Sequence, residues 1–331
     1  MSQPEYSCML VEETEPNTFT RKIITRNVGD LPEGDLLIRV RYSSLNYKDA
    51  LSATGNKGVT RTFPHTPGID AAGEVVRCDT GAFREGDEVV VTGYDLGMNT
   101  PGGFGEYIRV PSQWAVPLPA GLTLAESMAL GTAGFTAALC VLGLEHGGVV
   151  PADGDILVTG ATGGVGSMAV SILAKAGYRV TAVTGKPEAA PFLESLGAAQ
   201  VLGREDVLVG ADRPMMKERW AGGVDVVGGD TLAAAVKATR YGGVVTCCGL
   251  VGSPDLPLNV FPFILRGVSL VGIDSVQVPM EPRLQVWSRL AGEWKPDNPG
   301  QMVSEVGLPG LDAKIDEILA GKVKGRVLVK L

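Results

Sequence analysis

Histidine is scarce and long basic runs are absent. Two histidines, His65 and His146, and five cysteines, Cys8, Cys78, Cys140, Cys247 and Cys248, are spread over 331 residues. No Cys-x-x-Cys or other structural-zinc spacing occurs among them, which excludes a four-ligand structural site. A catalytic zinc gathered from distant residues is not excluded by spacing. His65, between Pro64 and Thr66, reads as a packing or turn residue, however, and no metal is expected. An odd number of scattered cysteines predicts reduced, mostly buried thiols and a reducing compartment. The net charge is −8, and the longest basic stretch is the short KVKGR at 322–326. A nucleic-acid partner needs clustered Lys and Arg and is not expected. No run of about 18 uninterrupted apolar residues appears. The opening MSQPEYSCMLVEETEPN is acidic where a signal peptide would be basic and then apolar. These features predict a cytoplasmic protein without a membrane partner, with residues 1–5 loose.

What is present is apolar residue and glycine. Apolar residues make up 45% of the chain, and there are 45 glycines, enough for many tight turns. A length of 331 residues exceeds what a single core usually supports and predicts two domains. Up to about residue 127 the texture is strands and turns. LLIRVRYSS (36–44) alternates Ile38, Val40 and Tyr42 with Arg39 and Arg41, and GEVV (73–76), DEVVVTGY (87–94) and EYIRV (106–110) follow. From Leu124 a stretch rich in Ala, Leu and small residues leads into alternating strand and helix patterns. The strands are ILVTG (156–160), RVTAVTG (179–185), AQVLG (199–203), VDVVGG (224–229), GVVTCCGL (243–250) and VSLVGID (268–274). A helix follows the first of these strands, with Val165, Met168, Ala169, Ile172, Leu173 and Ala176 at helical spacing, and further helices are expected at AAPFLESLG and LAAAVKATRYGG. Alternation of this kind predicts an α/β fold with a doubly wound parallel sheet beside an irregular β domain. A helix at 311–321 and a strand at 325–331 close the chain.

Glycines 160, 163, 164 and 166 follow a strand and open a helix. There the backbone can approach a pyrophosphate, whose charge suits the free N–H groups of the helix start. The second strand ends in Thr184-Gly185-Lys186, with no carboxylate before Glu188. NAD sites place an acidic residue near this point for the ribose hydroxyls, whereas a 2′-phosphate needs neutral or basic partners. Thr184, Lys186 and, after the third strand, Arg204 therefore favour NADP(H) over NAD. A solvated turn lysine is the alternative for Lys186.

SSLNYKD (43–49), PGIDAAGEV (67–75), GTAGFTAAL (131–139), VTGATGGVG (158–166) and PFILRGVSLVGIDS (262–275) together resemble the medium-chain dehydrogenase/reductase superfamily. Within it the likeness is to the YhdH/YhfP group of quinone oxidoreductases, which includes NADPH-dependent acrylyl-CoA reductases, and it runs over nearly the whole chain. The resemblance implies a GroES-like catalytic domain from residues 1–127 and 298–331, and an inserted NADP-binding Rossmann domain at 128–297. It also implies a homodimer paired through the Rossmann sheet edge at VSLVGID. Zinc-dependent members carry Gly-His-Glu where this chain has Gly68-Ile69-Asp70, so the resemblance implies a zinc-independent enzyme. Carried over by motif, the NADP contacts are Tyr47, Thr162, Gly163, Gly164, Val165, Thr184, Gly185, Lys186, Arg204, Leu250, Ile264 and Ser275.

Without a metal or a Ser-His or Tyr-x-x-x-Lys relay, oxidation of an unactivated alcohol lacks a proton acceptor. Reduction of an activated double bond does not: hydride goes to the β-carbon of an enoyl thioester or ketone, and donors stabilise charge on the carbonyl oxygen. Asn46, Tyr47 and Asp70 are the candidate catalytic residues. Each has a structural alternative: a turn residue, a cofactor contact and a satisfied buried carboxylate, respectively. Acrylyl-CoA is the first substrate expected, with Arg266 a candidate for the CoA phosphates, and a quinone is the second. A non-catalytic NADPH-binding structural protein is the reading from another class.

Overall fold

The alternating segment at 36–44 forms the strand Leu36–Leu45, with Ile38 and Val40 buried and Arg39 in solvent. Two register shifts against the neighbouring strand, one of them between Val40 and Tyr42, break the alternation. From Ser43 to Leu45 consecutive side chains are buried. This strand is the centre of a seven-stranded sheet. The spatial order is Val303–Gly307, Arg326–Lys330, Leu36–Leu45, Asp70–Cys78, Glu88–Thr92 and Ala115–Pro117, and Tyr107–Val110 also pairs with Leu36–Leu45. Leu36, Ile38, Val75, Val89, Val91 and Ile108 form its core on one face. A separate hairpin, Glu5–Glu15 with Thr18–Asn27, precedes it.

The computed structural model describes residues 4–297 and 299–331. Of the five opening residues expected to be loose, 1–3 lie outside the described residues, and Glu5 is paired with Asn27 in the hairpin. The chain divides into two units. The first holds the described residues up to Thr132, Val276–Ala291 and those from 299 to Leu331, and the second holds Ala133–Ser275 and Gly292–Asp297. The expected single insert at 128–297 differs from this division chiefly at Val276–Ala291. That segment contains the helix Met280–Ala291, and the buried Arg283 of this helix donates to the Thr92 carbonyl at 2.8 Å.

The second unit is built on six parallel strands in the order Ala198–Gly203, Val180–Thr184, Ile156–Val158, Trp220–Asp225, Thr239–Cys247, Ser269–Gly272. Numbered along the chain, this is 3-2-1-4-5-6, the doubly wound arrangement in which strand order reverses beside the first strand. The three strands around the reversal are buried on both faces, which is why they read as near-continuous apolar runs. Ser269–Gly272 is an edge strand, half exposed.

The helix Leu124–His146 has the length and hydropathy of a membrane span, but 78% of its most apolar window is buried, as a core helix would be. Gly131 interrupts it with φ 52° and ψ −157°, a conformation essentially reserved for glycine. The C-terminal helix begins earlier than expected, at Leu308, and ends at Leu319. Gly321 follows in a left-handed conformation.

Candidate functional site

The first strand of the parallel sheet stops at Val158, and the chain turns through Gly160 at φ 57°. A Cβ on Gly160 would lie 2.5 Å from Val226 Cγ2, and one on Gly166 would lie 2.3 Å from the Gly160 carbonyl oxygen. These two glycines are thus required for turn geometry and for seating the helix Gly164–Lys175 on the turn. Gly163 caps that helix without any side-chain hydrogen bond, so no side chain of the cap competes for the N–H groups at its start.

The second strand ends beside this turn. Thr184 is buried, its hydroxyl accepts the Lys186 N–H at 3.0 Å, and it lies 3.5 Å from the Thr162 hydroxyl. The Arg204 guanidinium lies over Gly185, where an added Cβ would sit 2.7 Å from Cζ. Thr159, Gly160, Thr162, Val183, Thr184, Gly185, Lys186, Arg204, Val227 and Thr231 line one pocket. Among the described residues, two cations and no carboxylate line it. A dinucleotide with a 2′-phosphate fits this donor set, whereas a diol-binding acid is missing from it.

The structure thus brings Thr162, Thr184, Gly185, Lys186 and Arg204 together, with Gly163, Gly164 and Val165 on the adjoining turn and helix start. Leu250 and Ile264 do not line this pocket and are largely exposed. Ser275 accepts a hydrogen bond from Thr136 at 2.8 Å. Thr159, Val227 and Thr231 were not foreseen. The signal was the Gly228-Gly229 pair opening the helix Gly229–Lys237, the same sequence logic as the first glycine turn. Arg266 is unsuited to the role suggested for it at a CoA phosphate. Its guanidinium donates to the carbonyls of Met216, Lys237 and Thr239 and pairs with Glu218, so its donors are already engaged.

The candidate catalytic residues lie in the first unit, Asn46 and Asp70 within a buried polar network and Tyr47 beside Asn46 in sequence. Asp70 is fully buried, and its carboxylate accepts from Ser44 Oγ at 2.5 Å, Asn46 Nδ2 at 2.8 Å, Thr132 Oγ1 at 2.5 Å and the Thr132 N–H at 3.0 Å. Arg326, 2% exposed, donates to Ser44 Oγ at 2.7 Å and Asn46 Oδ1 at 3.0 Å, and its Nη2 lies 3.7 Å from Asp70. Asn46 also donates to Asp49, which accepts the backbone N–H groups of Asn46 at 2.7 Å and Ile69 at 2.8 Å. Burial, and then the charge of Asp70, pushes the Asp49 carboxyl up to about 7. Burial pulls Arg326 down from its ordinary value, while Asp70 and Asp49 oppose that shift.

This network revises the sequence reading. Asp70 is a satisfied buried carboxylate, with no face left for a substrate. The Asn46 amide is committed to Asp70, Asp49, Ser44 and Arg326. Both hold the start of the helix Tyr47–Ala53 in place. Tyr47, the first residue of that helix, is 45% exposed and is the one member of the trio free to meet a ligand. The position where zinc enzymes carry histidine is the buried, apolar Ile69, and the buried His65 Nε2 lies 2.9 Å from the Gly97 carbonyl. Among the described residues no group of three or more His, Cys, Asp or Glu side chains is arranged to hold a metal ion. The residues at this position do not fit a catalytic zinc.

Comparison with known proteins places these two halves. Residues 32–120 match the alcohol dehydrogenase GroES-like domain, and residues 164–291 match the zinc-binding dehydrogenase family. Together with the 3-2-1-4-5-6 sheet they define the class: a medium-chain dehydrogenase/reductase with a GroES-like domain and a Rossmann domain. The chain is 49% identical to YhfP of Bacillus subtilis, named as a quinone oxidoreductase, over 97% of this chain and 98% of that one. It is 44% identical to the acrylyl-CoA reductase AcuI of Ruegeria pomeroyi over 98% of both chains. The Salmonella enterica YhdH oxidoreductase, solved with NADP, superposes with a TM-score of 0.95 at 43% identity, covering 98% of this chain and 99% of that one. Bacillus subtilis YhfP, solved with NAD, gives 0.97 at 46% identity, covering 99% and 100%. The chain belongs to the YhdH/YhfP group of medium-chain oxidoreductases.

Proposed function

We propose that this chain is an NADPH-dependent reductase of activated carbon–carbon double bonds, and that acrylyl-CoA, reduced to propionyl-CoA, is its substrate. The observation that carries the proposal is the pairing of full-length likeness to an acrylyl-CoA reductase with a pocket holding Lys186 and Arg204 and no carboxylate. When bound, NADPH supplies hydride to the β-carbon. Thr184, Gly185, Lys186 and Arg204 hold the 2′-phosphate, and the turn at Thr162–Val165 holds the pyrophosphate. Leu250, Ile264, Ser275 and Tyr47 complete the proposed cofactor contacts. Asn46 and Asp70 position Tyr47, whose hydroxyl is the proposed donor toward the substrate or cofactor. The second reading is quinone reduction, favoured by the name of YhfP.

Steady-state loss of NADPH absorbance with acryloyl-CoA, alongside 1,4-benzoquinone and NADH controls, tests this. Saturable acryloyl-CoA turnover, faster with NADPH than with NADH, is the expected result. Quinone turnover alone would select the second reading, and no turnover above background with either would leave a non-catalytic NADPH-binding protein. We also propose a cytoplasmic homodimer that pairs through Ser269–Gly272, which leaves one side of the sheet open beside the exposed Ile264 and Leu265. Light scattering gives the mass that checks it.

A further inference from the structure

The dinucleotide crevice of a doubly wound sheet lies beyond the carboxyl ends of the two strands flanking the reversal of strand order. Here those strands are Ile156–Val158 and Trp220–Asp225. Their backbone pairing runs out at Val158 and Val224, but they remain joined one residue further on. The Thr159 N–H donates to the Val224 carbonyl at 3.0 Å, Thr159 Oγ1 donates to Asp225 Oδ1 at 2.6 Å, and the Val226 N–H donates to Thr159 Oγ1 at 3.1 Å. The other carboxylate oxygen of Asp225 accepts the N–H groups of Gly228 at 2.7 Å and Val227 at 3.2 Å, which closes the turn into the helix Gly229–Lys237. Thr159 and Asp225 are both fully buried. Thr159 and Val227 line the nucleotide pocket, and Asp225 does not.

A carboxylate behind a site for an anionic cofactor is electrostatically adverse and costly to bury. Burial indeed raises the carboxyl of Asp225, while the three hydrogen bonds oppose the shift. What the group supplies is acceptor capacity. One rigid side chain ties the first glycine-rich turn to the second across the crevice floor.

We propose that Asp225, through Thr159 and the Val227–Gly228 turn, is a positioning residue that sets the width of the crevice and hence the affinity for the whole dinucleotide. The inference rests on the proposal that this pocket takes a nicotinamide dinucleotide. It distinguishes Asp225 from Lys186 and Arg204, which belong to the other side of the pocket, at the ends of the second and third strands. Loosening the floor weakens NADPH and NADH alike, whereas removing a cation weakens NADPH selectively.

The test is fluorescence titration of NADPH and of NADH with the wild-type protein, Thr159→Val, Asp225→Asn and Arg204→Ala, with thermal melts showing that each is folded. Thr159→Val keeps the shape and removes the hydroxyl, so it remains informative if the Asp225 variant does not fold. A hydrogen bond to a charged group sets the expected loss at about 10- to 100-fold in Kd for both dinucleotides, with the NADPH-to-NADH ratio unchanged. A folded Thr159→Val or Asp225→Asn protein with wild-type affinity, or one that loses NADPH alone, overturns the inference. Failure of the wild-type protein to bind either dinucleotide overturns the cofactor reading itself.

Discussion

Gly131→Ala is the most exacting perturbation of the buried network. A Cβ at this position would lie 2.6 Å from Asp70 Oδ2, 2.6 Å from Ser44 Oγ and 2.8 Å from Arg326 Nη2. All three atoms are held by hydrogen bonds within the network, so none can swing clear as a surface side chain would. The backbone, at φ 52° and ψ −157°, adds strain of about 1–3 kcal/mol for any residue with a side chain. Overpacking a rigid site costs about 1–3 kcal/mol more. The total, roughly 2–6 kcal/mol, corresponds to a fall in melting temperature on the order of 5–20 °C. Gly210→Ala is the control, because Gly210 has φ 81° but nothing within 4 Å of its would-be Cβ. It bears the backbone term alone, about 1 kcal/mol. Calorimetry of both variants separates the two contributions. Equal, small losses would refute the claim that the network is closely packed around residue 131.

Lys186→Ala and Arg204→Ala should each weaken NADPH binding by about 10- to 100-fold, the worth of a hydrogen bond between charged groups, and leave NADH nearly unaffected; parallel titrations check the ratio. Tyr47→Phe should lower kcat/KM for acryloyl-CoA by at least about 10-fold if its hydroxyl serves as a donor, and wild-type kinetics would remove Tyr47 from that role. Asp49 predicts a pH effect. Its carboxyl rises from 3.8 to about 7 on folding, so the folded chain retains a proton that the unfolded chain releases. The favourable contribution is complete below pH 3.8 and is lost as pH rises through about 7, amounting to about 4 kcal/mol. Urea unfolding at pH 5 and pH 8 should show this slope in the wild-type protein and a flatter one in Asp49→Asn; equal slopes would refute it.

The parallel sheet was legible because its strands, buried on both faces, leave runs such as ILV and VTAVT between glycines and alternate with helices; their spatial order was not, because the same alternation is compatible with more than one doubly wound order. The glycine turn was legible for the same reason that it works: only glycine tolerates the Gly160 conformation and the approach at Gly166. The hairpin Glu5–Glu15 with Thr18–Asn27 was missed because its second strand is mostly exposed or half-exposed and carries little apolar alternation. The roles of Asn46 and Asp70 were not legible, because their partners Thr132 and Arg326 lie 62 and 280 residues away in the chain. Spacing within a motif cannot report such pairings. The break at Gly131 was hidden too: a helix rich in Ala and Leu absorbs one glycine without losing its pattern.

Asp70 and Asp225 turn out to be versions of one device. Each is fully buried on a strand, each accepts a hydroxyl from its neighbour across the sheet, from Ser44 on the adjacent strand or from Thr159 just past the end of one, and each accepts a backbone N–H where a helical segment begins, at Thr132 or Gly228. Several converging donors need an acceptor with no protons of its own, and an ionised carboxylate is the only common side chain that offers two such oxygens. Asparagine matches the shape but turns an NH2 group toward donors, leaving at least one buried group unsatisfied at about 1–3 kcal/mol. An aspartate-to-asparagine change, conservative on an exposed turn, should therefore be costly at both positions. Serine in the same place makes fewer bonds but imposes no opposing donor, because its hydroxyl proton can rotate away. Asp70→Ser should consequently melt at or above Asp70→Asn. The reverse order would mean that side-chain volume, rather than donor matching, decides the site.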